Sequence, residues 1–139
     1  IVSDLINLGI TERKSKTLQN FFSNIPEHLR KYAALGYFDG DGGYILPKGK
    51  FKQWKETKYW VESYSIHCII RGTEPVLKGL ADALKAEKYS IKKYDSTHRL
   101  VLARKIETLK LIEIYKTCPI YLTRKFDKIQ KRLEIWNSF

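Results

Sequence analysis

Apolar residues recur at helical spacing in some stretches of this 139-residue chain and at alternate positions in others. Val2, Leu5 and Ile6 share one face of a short first helix that Gly9 stops. Thr11 then offers a cap to the basic stretch TERKSKTLQNFF, a second short helix or a linker. Asn24 and Pro26 mark the next start, and a helix is expected from about Glu27 to Gly40. Its second half, through Leu35, Gly36, Tyr37 and Phe38, is apolar nearly all round before it ends in Asp39-Gly40-Asp41-Gly42-Gly43.

From Gly43 the period changes to two. GYILPKGK reads as a short strand, and KYWVESYSIHCII, from Lys58 to Ile70, as one long strand rich in β-branched and aromatic residues. The segment between them is a basic link with Lys48, Lys50, Lys52 and Lys55. Thr73 caps a helix through Lys85 that buries Val76, Leu77, Leu80 and Leu84. YSIKKY (89–94) and THRLVLAR (97–104) are further strands joined by an Asp95-Ser96 turn. A helix from Lys105 to Thr117 is expected to bury Ile106, Leu109, Ile112 and Tyr115, and Pro119 stops it. In a last helix capped by Thr123, Phe126, Ile129, Leu133 and Trp136 form a stripe, with Arg124, Lys125, Lys128, Lys131 and Arg132 on the other side. The order α, β, β, α, β, β, α, with an extra helix at each end, predicts an α+β domain around a four-stranded antiparallel sheet.

Composition narrows the partners. Lys and Arg number 26 against 15 Asp and Glu, a net charge of +11 that is far more than solubility requires, so a polyanion is the natural partner. No apolar run approaches the roughly 18 residues of a spanning helix, and the charge is not gathered on one greasy amphipathic helix, so a membrane is not expected as partner. Cys68 and Cys118 form no CxxC pair and no metal-ligand spacing, which speaks against a disulfide scaffold or zinc module and for a reducing, intracellular compartment. Opening on Ile1 without a charged and then apolar leader, the chain is expected to carry no signal peptide and to have lost something upstream.

The most specific string is Ala34-Leu35-Gly36-Tyr37-Phe38-Asp39-Gly40-Asp41-Gly42. A glycine inside a helix costs about 1 kcal/mol relative to alanine, so Gly36 and Gly40 imply a close approach. Small residues four apart let two helix backbones touch, and a carboxylate just past the end is then delivered to their seam. Asp is disfavoured at a helix C-terminus because the dipole there is negative, and a bound cation would remove the conflict.

These nine residues resemble the motif that names the LAGLIDADG homing endonucleases, with Tyr37-Phe38 in place of the usual aliphatic pair and Gly40 in place of Ala. The αββαββα order fits that family's half-domain, and LGITERKSKTL and IYLTRKF look like segments of its phage and intron-encoded members, carried on mobile genetic elements. The resemblance implies a site-specific DNA endonuclease that uses Mg²⁺ or Mn²⁺. Asp41, with the Gly40 carbonyl, would bind the metal. Ala33, Gly36, Tyr37 and Gly40 would form the interface of a homodimer, or with a second half-domain of a longer chain. Lys105, with Arg104 as rival, and Arg71 would be the catalytic cations at strand ends. Residues 1–25 would be an N-terminal helical extension or a remnant of an upstream segment, and 26–139 the binding and cleavage domain. A non-cleaving DNA-binding protein on the same scaffold, a transcription regulator or a maturase, is the alternative.

Alternation along the strands then assigns faces. Trp60, Tyr64, Ile66, Cys68 and Ile70 are expected to pack, while Tyr59, Val61, Ser63, Ser65, His67 and Arg71 face a groove. Lys92, Tyr94 and Arg99 join that polar face, and an antiparallel sheet so lined can read base edges of double-stranded DNA in the major groove. Lys48, Lys50 and Lys52 suit phosphate contacts, and Trp54 and Trp60 suit packing.

Overall fold

The structure, a computed structural model, describes residues 2–7 and 19–138. A short helix α1 (Val2–Asn7) is present; the packing of its Val2, Leu5 and Ile6 side chains, the stop at Gly9 and the cap at Thr11 lie outside the described residues. A turn of 3₁₀-helix (Phe22–Asn24) leads through Pro26 into α2 (Glu27–Asp41). There follow β1 (Gly42–Ile45), β2 (Gly49–Trp54), β3 (Thr57–Glu62), β4 (His67–Gly72), α3 (Glu74–Ala83), β5 (Ser90–Tyr94), β6 (Thr97–Leu102), α4 (Lys105–Thr117) and α5 (Thr123–Asn137).

β1, β4, β6 and β5 lie in that order in one antiparallel sheet, and β2 and β3 form a separate hairpin. Without the hairpin the order from α2 to α4 is αββαββα, an α+β fold as the patterning predicts. One sheet face supplies Cys68, Ile70, Leu100 and Leu102 to the core, where they meet Ala34, Leu35 and Phe38 of α2, Leu77 and Leu80 of α3, Leu111 and Tyr115 of α4, and Ile129 of α5. The buried faces of these helices are apolar and the strands alternate, so the core follows from binary pattern.

The expected long strand from Lys58 to Ile70 is two strands in different sheets. β4 pairs with β1 and β6, whereas β3 pairs only with β2, and the basic link is β2 itself with its Lys55 turn. The break has local causes. Pro47 has no N–H to continue a ladder, and Gly49 sits at φ 139°, where a Cβ would stand 2.3 Å from the Val61 carbonyl oxygen. Because the hairpin leaves the main sheet, Trp54 and Trp60 are exposed rather than packed in the core; Trp60 meets Phe51 edge to face at 5.0 Å. Tyr64 is half-buried, while Ile66 is buried as expected.

Two further helix faces differ from expectation. Ile106 and Leu109 point outward, and Leu111 and Ile112 inward, because the buried Glu107 carboxylate accepts the backbone N–H groups of Glu87 and Lys88 at 3.0 and 3.1 Å and sets the rotation of α4. On α5, Lys125 and Arg132 turn into the protein, with Lys125 buried among backbone carbonyls. Cys68 is buried and Cys118 half-buried, and both are free thiols. Among the described residues no helix is long and apolar enough to cross a membrane.

Candidate nucleic-acid interface

Residues two apart on an α-helix point about 200° apart, so the two acids that close α2 have opposite surroundings. Asp39 turns inward. Its Oδ1 accepts the Tyr115 hydroxyl at 2.5 Å and its Oδ2 the Leu122 N–H at 2.8 Å, tying α2 to α4 and to the start of α5. Burial first, and the Asp39 hydrogen bond second, push the Tyr115 pKa up. Asp41 turns outward, exposed, with no hydrogen bond or ion pair to a described residue.

The C-terminus of α2 already has its cation. Lys125 Nζ donates to the carbonyl oxygens of Phe38 (2.8 Å), Asp39 (2.7 Å) and Gly42 (2.6 Å), at and just past the helix end, where the Phe38 carbonyl also accepts the Gly42 N–H. Burial pulls its pKa down, with the charges of Asp39 and Asp41 opposing. The ammonium offsets the dipole that makes Asp41 unfavourable, so the cation inferred from sequence is supplied, in part, by the chain itself.

Around this terminus the glycines divide by purpose. A Cβ on Gly42 would stand 2.3 Å from Phe38, so this chain requires that glycine. At Gly36 and Gly40 an added Cβ meets nothing within 4 Å, and both are exposed. Ala33 and Tyr37 flank them half-buried; Tyr37 leans on Phe21 and Phe22 and donates to the Arg71 carbonyl at 3.4 Å. The smallness of Gly36 and Gly40 is therefore unused among the described residues. No group of three or more His, Cys, Asp or Glu that could hold a metal occurs among the described residues. The exposed Asp41 carboxylate and the Gly40 carbonyl are hard oxygen donors that suit Mg²⁺ or Mn²⁺, but one copy supplies only part of a coordination shell.

The sheet face opposite the core holds His67, Ile69 and Arg71 of β4, Arg99 of β6, and Lys92 and Tyr94 of β5. Arg71 pairs directly with Arg99, and Arg99 with Lys92. Both guanidinium carbons approach the Tyr94 ring, at 4.6 Å for Arg71 and 4.9 Å for Arg99. Arg71 lies at the Asp41 end of the sheet, since Gly42 pairs with Ile70. Lys105 lies at the other end, beyond the Leu102–Cys68 pair, with Nζ 5.8 Å from the Trp136 ring. Trp136 is eleven residues along α5 from Lys125, about 16 Å, so Lys105 and its neighbour Arg104 do not join the Asp41 end.

On the hairpin, Lys50, Lys52, Tyr59 and Val61 share one exposed face, and Phe51, Gln53, Lys58 and Trp60 the other. Lys48 sits in the connection before β2, exposed. Ser63 and Ser65 leave the sheet; their hydroxyls bond each other at 2.9 Å in the connection between β3 and β4. Arg132 Nη2 donates to the Pro47 carbonyl at 3.1 Å and the Ser63 carbonyl at 2.6 Å, one in each connection to the hairpin. Lys125 and Arg132 were not read as functional from the sequence. Their spacing from Ile129 and Leu133 puts both on the buried stripe of α5, and that period was the available signal.

No family model matches the sequence, and no curated protein matches it. Solved structures do. The chain is similar to the homing endonuclease I-TnaI, with a TM-score of 0.56 and 16% identity over 78% of this chain and 74% of that one. It is similar to the group I intron-encoded homing endonuclease I-CeuI complexed with DNA, with a TM-score of 0.62 and 14% identity over 85% of this chain and 61% of the other. The LAGLIDADG meganuclease I-AabMI bound to uncleaved DNA gives a TM-score of 0.55 at 16% identity, over 78% of this chain and 37% of the other. At these identities the likeness establishes the fold.

Proposed function

We propose that the chain is a site-specific DNA endonuclease of the LAGLIDADG homing type that works as a pair of such domains, a homodimer or this chain with a second half-domain. The observation that carries the reading is Asp41: a carboxylate held outward, unpaired among the described residues, at the end of a helix whose exposed face meets none of their atoms at Gly36 and Gly40. Lys125, on which the Asp41 charge acts, spends its donors on backbone carbonyls and not on that carboxylate.

Two α2 helices meeting along Gly36 and Gly40 would bring two Asp41 carboxylates to one seam, each with its Gly40 carbonyl. A divalent metal ion held by those oxygens would supply an acidified water and charge neutralisation at the phosphate. The chain's own contributions are to place the carboxylates, to offset the helix dipole through Lys125, and to grip the duplex. The polar sheet face and the hairpin lysines would hold the grooves on either side. Of the two cations expected at strand ends, Arg71 lies at the Asp41 end of the sheet and Lys105 at the other. Free thiols on Cys68 and Cys118 suit a reducing compartment.

The test is selection from a randomised DNA library in Mg²⁺, scoring bound and cut molecules, with Asp41→Asn beside the wild type. Cut products that depend on Asp41 support the reading, and a palindromic site supports the homodimer. Sequence-specific binding with no cleavage by either protein would replace it with the non-cleaving regulator or maturase.

A further inference from the structure

Arg71, Arg99 and Lys92 occupy directly paired positions on three neighbouring strands. Paired positions share a face, so three positive charges stand in a row about 10 Å across. Like charges directly opposite one another destabilise a sheet. None of the three has an ion pair among the described residues, and the nearby Glu74 is engaged by Lys78 at 3.1 Å and faced by His98 at 3.7 Å. What the row does have is Tyr94. Its ring takes both guanidinium groups, which recovers a little cation–π energy and limits the orientations of two otherwise flexible side chains.

A phosphate contact needs charge and tolerates a mobile partner, whereas reading a base edge needs an oriented fork. A guanidinium donates two parallel hydrogen bonds to O6 and N7 of guanine, a pattern no other base shows in the major groove. We propose that Arg71 and Arg99, held by Tyr94, form a guanine-reading pair, with Tyr94 as their positioning residue. The proposal rests on the DNA-binding part of the function above and names the bases that part of the sheet recognises. Because Arg71 lies at the Asp41 end of the sheet, the guanines belong to the portion of the target nearest the cleaved bonds.

The experiment takes the target selected by the wild-type protein and replaces each guanine in turn with 7-deazaguanine, which removes N7 and leaves pairing and phosphates intact. The expected result is two positions in each half-site held by a copy of this sheet at which wild-type affinity falls at least about 5-fold, with the roughly 150-fold of a whole bidentate contact as the ceiling because O6 remains. Arg99→Ala should become indifferent to the substitution at one of them. Tyr94→Leu should narrow the guanine preference at both without changing the salt dependence, and Tyr94→Phe, which keeps the ring, should restore it. Thermal unfolding of each variant separates these effects from misfolding. Uniform weakening on all sequences, with a shallower salt slope and no change in base preference, would make the row a phosphate clamp and overturn the proposal. A selected target with no guanine sensitive to these variants would also overturn it while leaving the endonuclease reading intact. Failure of the wild type to select any sequence would sink both.

Discussion

The Lys125 ammonium nitrogen lies 2.7 Å from the backbone carbonyl oxygen of Asp39, and this contact joins the start of α5 to the end of α2. The same nitrogen serves Phe38 and Gly42, so one side chain satisfies three carbonyls at the end of the helix that carries Asp41. Replacing it with an apolar group of similar length takes a charged donor from all three and leaves the Phe38 carbonyl with the Gly42 N–H alone. Lys125→Met is expected to cost about 2 kcal/mol or more, since hydrogen bonds to charged groups each contribute roughly 1.5–3 kcal/mol. Urea denaturation at neutral pH measures it; an unchanged midpoint would mean that water replaces the ammonium without loss.

Asp39 and Asp41 are expected to separate cleanly by substitution. Asn at Asp39 keeps one acceptor but turns an N–H toward either Tyr115 or Leu122, so Asp39→Asn should destabilise by about 1–3 kcal/mol. Asp41→Asn breaks no hydrogen bond or ion pair among the described residues and should stay within about 0.5 kcal/mol of wild type while losing cleavage. Chemical denaturation of the two variants decides; equal destabilisation would show Asp41 to be structural.

Much of this arrangement is legible in the sequence, and what is not has physical causes. Helix α4 spans Lys105 to Thr117 as its pattern predicts, and α2 ends one residue beyond the expected Gly40. The rotation of α4 is not legible, because it depends on Glu107 capping amides twenty residues upstream. The alternation from Lys58 to Ile70, with exceptions at Glu62 and Ile69, keeps its phase across the point where the backbone changes sheet, since side-chain period does not record which strand is the neighbour. The acids of Asp39-Gly40-Asp41 read as one cluster in sequence; helical geometry gives one to the core and the other to the surface. Lys105 had a plausible position in sequence and lost it to strand direction, which sends the end of β6 away from Gly42.

Gly36 and Gly40 give a prediction with two opposite signs. Beyond the helix's own backbone an added methyl meets no atom of the described residues within 4 Å at either site, so Gly36→Ala and Gly40→Ala should stabilise α2 by up to about 1 kcal/mol each through helix propensity. If the same face seats a second α2, the methyl groups hold the backbones apart and pairing weakens. Denaturation at low protein concentration and sedimentation at high concentration read the two effects. Stabilisation with unchanged association would show that these glycines do not form the seam.

Alkaline pH should weaken the fold through Tyr115. Burial and the Asp39 hydrogen bond raise its folded pKa above the reference value of 10.0, so the folded state holds this proton more tightly than the unfolded state. The contribution is fully present below pH 10 and is lost as pH rises further. Cys68, pushed up to about 12 by burial, acts in the same direction from pH 9 upward, while Lys125, whose pKa is lowered, acts in the opposite one. Tyr115→Phe should be less stable at neutral pH, because Asp39 Oδ1 loses its donor, and should show a flatter decline above pH 10. Parallel stability curves for the two proteins would exclude Tyr115 as the titrating group.

The hairpin depends on Arg132. An isolated two-stranded hairpin is marginal in water, and β2–β3 exposes Phe51 at 69% and Trp54 at 70% of their surfaces. Its orientation is fixed where it leaves the sheet, by the guanidinium that holds the Pro47 and Ser63 carbonyls together and by the Ser63 N–H donating to Lys48 at 3.3 Å. Arg132 Nε is buried without a partner among the described residues, and the two carbonyls the side chain serves lie in the hairpin's connections, so substitution should bear on those connections first. Arg132→Leu is therefore expected to loosen the hairpin more than the domain. Trypsin should cut after Lys50, Lys52, Lys55 or Lys58 several-fold faster in the variant, with a small change in global unfolding, and DNA carrying the selected site should restore protection. Equal cutting rates in the two free proteins would show that the strands hold their register without the arginine.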